Sequence, residues 1–254
     1  MLTEKKIYSE LKKIKIKEKY IIIHSDISGL YFKNFNIKKL WEIVFNSFGA
    51  HKTYILPTCT FSFHKKKKWN CLTSKSETGA LSEYFRTSVA NFRTIHPIHS
   101  VAVLGKSLNR FKKFTCASSF GKKSVWEFLS NSKDVCNISI GTGFVGGATF
   151  CHHVEEKNLV PYRKMVNLYG KIISNDKKII KRKFNYFARD KNNPLKNDWN
   201  KCYNELLKKK LIKVFKFKTN GIQILKMNTF RVSEYLDKRV NEDPYFLIKK
   251  NKSI

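Results

Sequence analysis

Two short apolar runs constrain the fold more than any other feature of this chain: YIIIH at 20–24 and TYILP at 53–57. A strand covered on one face alternates apolar and polar residues, whereas a strand covered on both faces has no polar side to show. Neither run alternates, and the first stops at the polar, glycine-bearing turn SDISGL, so both read as buried strands. NISI at 137–140 reads as a third strand, feeding the turn GTGFVGG. Helical patterns lie between them. One runs over 3–19, with Ile7, Leu11, Ile14 and Tyr8 on one face, and another around 38–48. A third, GALSEYFRTS, follows Thr78 as its expected cap, and a fourth carries His152 to Lys157. Residues 62–76, with HKKKKWN, read as a solvated loop, and a turn at His96-Pro97 leads into SVAVLG. From about residue 166 the character changes. VNLYGKII, KKIIKRKFNYF and KVFKFK alternate like antiparallel hairpins, Asn220-Gly221 is a turn signal, and a last helix, TFRVSEYLDKRV, precedes a DPYF turn. The layout is that of one α/β domain over 1–254, with its core motifs in 20–165 and a β-hairpin and helix extension in 166–254.

At 254 residues and 42% hydrophobic content the chain can bury a full core. No stretch approaches the ~20 apolar residues of a membrane span, and the basic N-terminus lacks a signal peptide's apolar region, so a cytoplasmic protein is expected. Six cysteines (59, 71, 116, 136, 151, 202) include no CxxC pair, which excludes zinc-ribbon and thioredoxin-type motifs and suggests buried, reduced thiols. The formal charge is +32, carried by 43 Lys and only 8 Arg. Base readout and bidentate phosphate recognition favour Arg, so this surface argues weakly for specific nucleic-acid binding. A basic nucleic-acid-binding module is the competing class, and it would show a steep salt dependence. Whatever its origin, the charge attracts anions and repels polycations.

Five of the seven histidines, His24, His96, His99, His152 and His153, fall at expected strand ends or in turns, where α/β folds collect their sites. Two of them lie in GGATFCHHVEE at 146–156. That stretch admits three readings: a metal site from Cys151, His152 and Glu155, a general base oriented by a carboxylate one turn away, or an ordinary helix start. A closed zinc site needs further N or S ligands, and no second His/Cys cluster has ligand-type spacing.

HSDISGL (24–30), TYILPTCTFSF (53–63), GALSEYFR (79–86), RTIHPIHSVAVLGK (93–106), FGKKSVWEFL (120–129) and GGATFCHHVEE, in this order, resemble the aminoglycoside 3-N-acetyltransferase family, and PYR at 161–163 fits it too. The resemblance implies a three-layer α/β/α core with a mixed sheet, acetyl-CoA as co-substrate and no metal. It places Thr149, His152 and Glu155 in catalytic positions. His153 falls where the family seldom has histidine, and Ala148 and Val125 stand where Asn and Pro are common. For coenzyme A the resemblance points to His24, Ser25, Ser28 and Gly29, to His99, Ser100 and Val101, and to Ser124. Backbone amides of SDISG would cradle the pyrophosphate, the pantetheine would run along the SVAV strand, and lysines 65–68 would meet the 3′-phosphate. Adjacent helical residues point about 100° apart, so Cys151 is not expected to relay the acyl group, and direct transfer with His152 as base is. The charge points to an anionic acceptor, a nucleotide- or lipid-linked amino sugar of a surface-polysaccharide precursor, with an aminoglycoside antibiotic as the alternative. A homodimer is left open.

Overall fold

The computed structural model describes residues 2–31, 35–181, 183–190, 192, 195–218 and 220–249. Helix α1 (Glu4–Lys12) is capped by the Thr3 hydroxyl and ends earlier than the 3–19 pattern suggests, with Ile7 and Leu11 inward and Tyr8 exposed. Strand β1 (Tyr20–Ser25), helix α2 (Ile37–Phe48) and strand β2 (Thr53–Pro57) follow the expected order, β2 matching the TYILP run to the residue. Residues 62–76 are not the solvated loop their lysines suggest: they form α3 (Phe63–Lys66) and β3 (Lys68–Asn70). Helix α4 (Ala80–Ser88) starts at Gly79 with no side-chain cap, because the Thr78 hydroxyl instead donates to the Pro57 carbonyl at 2.6 Å. Then come β4 (Phe92–Arg93), β5 (Val101–Leu104), α5 (Leu108–Phe111), α6 (Val125–Asn131) and β6 (Val135–Ile140). The GTGFVGG segment is itself mostly the short helix α7 (Gly143–Gly147), and α8 (Cys151–Lys157) carries the histidine pair. The remainder is β7 (Arg163–Leu168), β8 (Lys171–Ile173), β9 (Phe184–Arg189), α9 (Trp199–Lys208), β10 (Ile212–Lys216), β11 (Gln223–Asn228) and α10 (Thr229–Glu242).

Seven strands form one mixed sheet in the order β10-β11-β6-β1-β2-β5-β4, with β6, β1 and β2 parallel at its centre. Alternate residues of the central strands serve opposite layers, as a strand's period of two requires. Tyr20, Ile22, Ile55 and Val135 join α6, α8, α9 and α10 on one face. Ile21, Ile23, Tyr54 and Ile138 join α1, α2 and α4 on the other. That is the three-layer α/β/α core, and it is why β1 shows no polar alternation. The hairpin β10–β11 pairs with β6 and so extends this sheet, while β7 and β9 form a separate antiparallel pair. Two glycines fix how β6 turns into the site. Gly141 has φ +75°, where its Cβ-free backbone passes the Asp26 carbonyl, and a Cβ on Gly147 would overlap the Ser139 hydroxyl.

A third cluster explains the ordering of residues 62–76. Phe63 and Trp69 are buried against Ile98, Leu168, Ile172 and Phe184, and β3 pairs in parallel with β8. Arg93 lies over the Trp69 ring at 4.9 Å and donates to the carbonyls of Thr58, Cys71 and Ser74. Its guanidinium thus ties the segment to the sheet through fixed dipoles.

Candidate active site

An open cleft of about 390 Å3 lies beyond the carboxyl ends of the central strands. His24 and Ser25 reach it from the end of β1, Pro57 from the end of β2, and Thr142, Gly146 and Thr149 from the turns after β6. This is where parallel α/β sheets place their ligands, because the loops diverge there. Cys59, Phe61, Thr78, Ser82, His99 and His152 complete its walls.

The interval of three residues from His152 to Glu155 puts both on one side of α8. His152 Nδ1 lies 2.5 Å from Glu155 Oε2, and Glu155 is wholly buried. The same oxygen takes an ion pair from Arg163 at 3.0 Å, and Oε1 accepts from Tyr162 Oη (3.1 Å) and Asn197 Nδ2 (3.0 Å). Burial alone would raise this carboxyl's pKa, but His152, Arg163 and Asn197 outweigh it and bring it down to about 2. An ionised carboxylate only accepts, so His152 Nδ1 carries a proton, and in the neutral ring Nε2 holds the lone pair. The ring is flanked by Phe120 and Trp199, with centroids at 5.3 and 5.8 Å. The arrangement is an imidazole in a cleft, oriented by a carboxylate that is itself fully paired.

The adjacent pair does other work. His153 Nδ1 donates to the Phe120 carbonyl at 2.6 Å and its Nε2 accepts from Asn131 Nδ2 at 3.1 Å. Glu156 accepts from the Ser118 hydroxyl and from Phe120 N–H. One side of α8 therefore presents His152 to the cleft, and the other pins the 118–121 turn that holds Phe120 against it.

Of the other expected site residues, Thr149, His24, Ser25 and His99 line the cleft with His152, and Glu155 stands behind it. Five do not line it. Ser28 is exposed in an Asx turn, its N–H donating to Asp26, and Gly29 packs on Ile222 while its carbonyl accepts from Asn220 at the C-terminal hairpin tip. Ser100 is fully buried, donating to Thr58 O and accepting from Arg93. Val101 is buried in β5, whose two edges are taken by β2 and β4, so SVAV offers no free edge to a pantetheine. Ser124 is the N-cap of α6, accepting from Glu127 N–H. Three residues the sequence did not single out complete the carboxylate's shell. Tyr162 and Arg163 lie within the PYR signal, but Asn197 carried none.

Cys151 points into the core, and burial pushes its thiol pKa well above the ordinary value. A thiol that does not ionise is a poor nucleophile. Cys151→Ala is therefore expected to retain acetyl transfer within about threefold, at a packing cost of about 1 kcal/mol. Near-total loss of activity in a variant with an unchanged melting profile would establish an acyl-enzyme route instead.

An imidazole held by a buried carboxylate, set in a cleft at the carboxyl ends of an α/β sheet, is a candidate active site. The chain belongs to the aminoglycoside 3-N-acetyltransferase family, whose model matches residues 23–231, and the activity of that family is acetyl-CoA-dependent N-acetyl transfer. No curated protein matches the sequence. Solved structures similar to it include aminoglycoside acetyltransferase AAC(3)-Xa, at 15% identity and TM-score 0.79 over 97% of this chain and 94% of that one. AAC-IIIb in binary complex with CoASH is 13% identical, with TM-score 0.74 over 94% and 96% of the two chains. Sisomicin-bound AAC-VIa is 14% identical, with TM-score 0.74 over 93% and 98%. Among the described residues no helix is long and apolar enough to cross a membrane.

Proposed function

We propose that this enzyme acetylates an amino group of a phosphate-bearing amino sugar, a nucleotide- or lipid-linked precursor of a surface polysaccharide, by direct transfer from acetyl-CoA in the cytoplasm. The observation that carries the choice of acceptor is the chemistry of the cleft: among the described residues, none that lines it bears a carboxylate. Glu155, behind it, is already paired with Arg163 and His152. A polycationic drug entering a +32 protein would meet repulsion at long range and no counter-charge on the cleft wall, whereas an anionic acceptor is attracted. Family membership and the drug-bound relative favour the second reading, an aminoglycoside 3-N-acetyltransferase conferring resistance.

In the proposed reaction His152 Nε2 takes the proton of the acceptor amine as its nitrogen attacks the thioester carbonyl. The N–C bond forms, the C–S bond breaks, and the proton passes from the imidazolium to the departing thiolate. Glu155 stabilises the imidazolium, and Thr149 lies on the same wall to position the reactants. His24 presents a buried Nε2 without a protein partner at the cleft, and burial lowers its pKa to about 4, so a neutral ring is available to bond a ligand. Thiol release from acetyl-CoA, measured across nucleotide-linked amino sugars and aminoglycosides, tests the acceptor. Nucleotide-linked amino sugars are expected to give kcat/KM at least about 100-fold higher than sisomicin, a difference of about 2.7 kcal/mol. Efficient acetylation of sisomicin with none of the nucleotide sugars would overturn the proposal in favour of the second reading.

A further inference from the structure

Besides His152 and His24 the cleft holds a third imidazole, His99, whose protonation is set by a chain of hydrogen bonds to the backbone. His96 Nδ1 accepts from the N–H groups of Ile98 (3.2 Å) and His99 (2.9 Å), so it carries no proton. Its Nε2 lies 3.2 Å from the Asn185 carbonyl, which can only accept, so the His96 proton is on Nε2. Ser119 Oγ also lies 3.2 Å from His96 Nε2 and therefore accepts from its N–H. Ser119 is 2% exposed, and its remaining neighbour is His99 Nδ1 at 2.7 Å. Were His99 Nδ1 protonated, the serine hydroxyl would face two donors and its own buried proton would have no acceptor. The satisfied arrangement has Ser119 donating to His99 Nδ1, which leaves the His99 proton on Nε2. His99 lines the cleft, with Phe120 between its ring and that of His152 (centroids 4.7 and 5.3 Å).

We propose that His99 is a neutral N–H donor to the oxyanion that develops on the thioester carbonyl during transfer, opposite in polarity to the accepting Nε2 of His152. Burial, with His96, His152, Arg163 and His64 around it, holds the His99 pKa well below the ordinary value, so the donor stays uncharged. A neutral donor held by a buried relay needs no reorganisation when charge appears, which is what makes such groups effective. It also leaves the incoming amine free of a competing base on that wall. The assignment rests on the acyl-transfer reading above.

Asparagine and glutamine separate this role from a structural one, because an Asn amide reaches the place of Nδ1 and a Gln amide that of Nε2. His99→Asn is expected to lose about 10²–10³-fold in kcat, the usual cost of one oxyanion donor, while His99→Gln stays within about tenfold of the wild type. KM for acetyl-CoA should move by less than about threefold in both. Independently of any variant's folding, nitrogen NMR of the wild-type enzyme at neutral pH should show His99 with Nδ1 bare and Nε2 protonated. Equal losses in the two variants, an unimpaired His99→Asn, or a proton on Nδ1 would overturn the assignment. If His152→Ala stays fully active, it is the general-base role of His152 that fails, and the NMR result still reports on the relay.

Discussion

His152→Ala is expected to lower kcat for acetyl transfer by about 10²–10⁴-fold, the range a positioned general base contributes. The loss should fall on kcat, because the ring acts on the proton of the attacking amine and not on the body of either substrate. A sugar ammonium is mostly protonated near neutrality, so without an internal base the nucleophile is scarce and must lose its proton to water. The fold should tolerate the change: His152 has 29% of its side chain exposed, and Glu155 keeps Arg163, Tyr162 and Asn197 when the imidazole goes. A truncated ring also leaves a space between Phe120 and Trp199, so added imidazole should restore part of the rate. A variant within tenfold of wild type by thiol release, with the same melting temperature, would remove His152 from the chemistry.

The central strands were legible because burial on both faces leaves a short unbroken apolar run, too short for a helix and bounded by turn residues, and TYILP became β2 without a residue over. β6 was less so. Asn137 and Ser139 look like solvent positions but are buried, because Asn137 donates to the Gly147 carbonyl and Ser139 takes the close approach of α7. In the site, the His152–Glu155 interval could be read because a helix brings residues three apart together. Glu155's remaining partners could not be found this way, since Asn197 is 42 residues distant and arrives only when the chain folds. α9 went unseen for a related reason: only Cys202 and Leu206 of its residues are buried, and its lysines mask so thin a stripe. The lysine run before Trp69 hid that side chain too, although it is one of the largest fully buried groups in the protein. Ser100 and Ser124 show the opposite pull. Motif position marked them as ligand contacts, while a buried hydroxyl must first satisfy itself, and they do so on Thr58 and at a helix cap.

Glu155 carries the second large effect, on stability as well as rate. Removing one partner of a buried ion pair leaves the other charge uncompensated, at about 3–5 kcal/mol. In Glu155→Ala that charge is Arg163, whose side chain is 9% exposed. For a chain of this size a melting temperature lower by roughly 10 °C follows. Glu155→Gln keeps a carbonyl for Tyr162 and Asn197 but loses the anion, so it should fall between wild type and Ala in stability. Its amide cannot stabilise an imidazolium, and kcat should drop by up to about 10⁴-fold, as when the carboxylate behind a catalytic imidazole is lost. The pH dependence has a definite sign. The folded carboxyl has its pKa lowered from 4.5 to about 2, so its stabilisation is fully present above pH 4.5 and is lost as pH falls towards 2. Melting temperatures of wild type and Glu155→Gln should therefore converge across that window, the wild type losing the larger share. Parallel curves there, together with a kcat within tenfold of wild type, would mean that the carboxylate neither holds the fold nor steers the base.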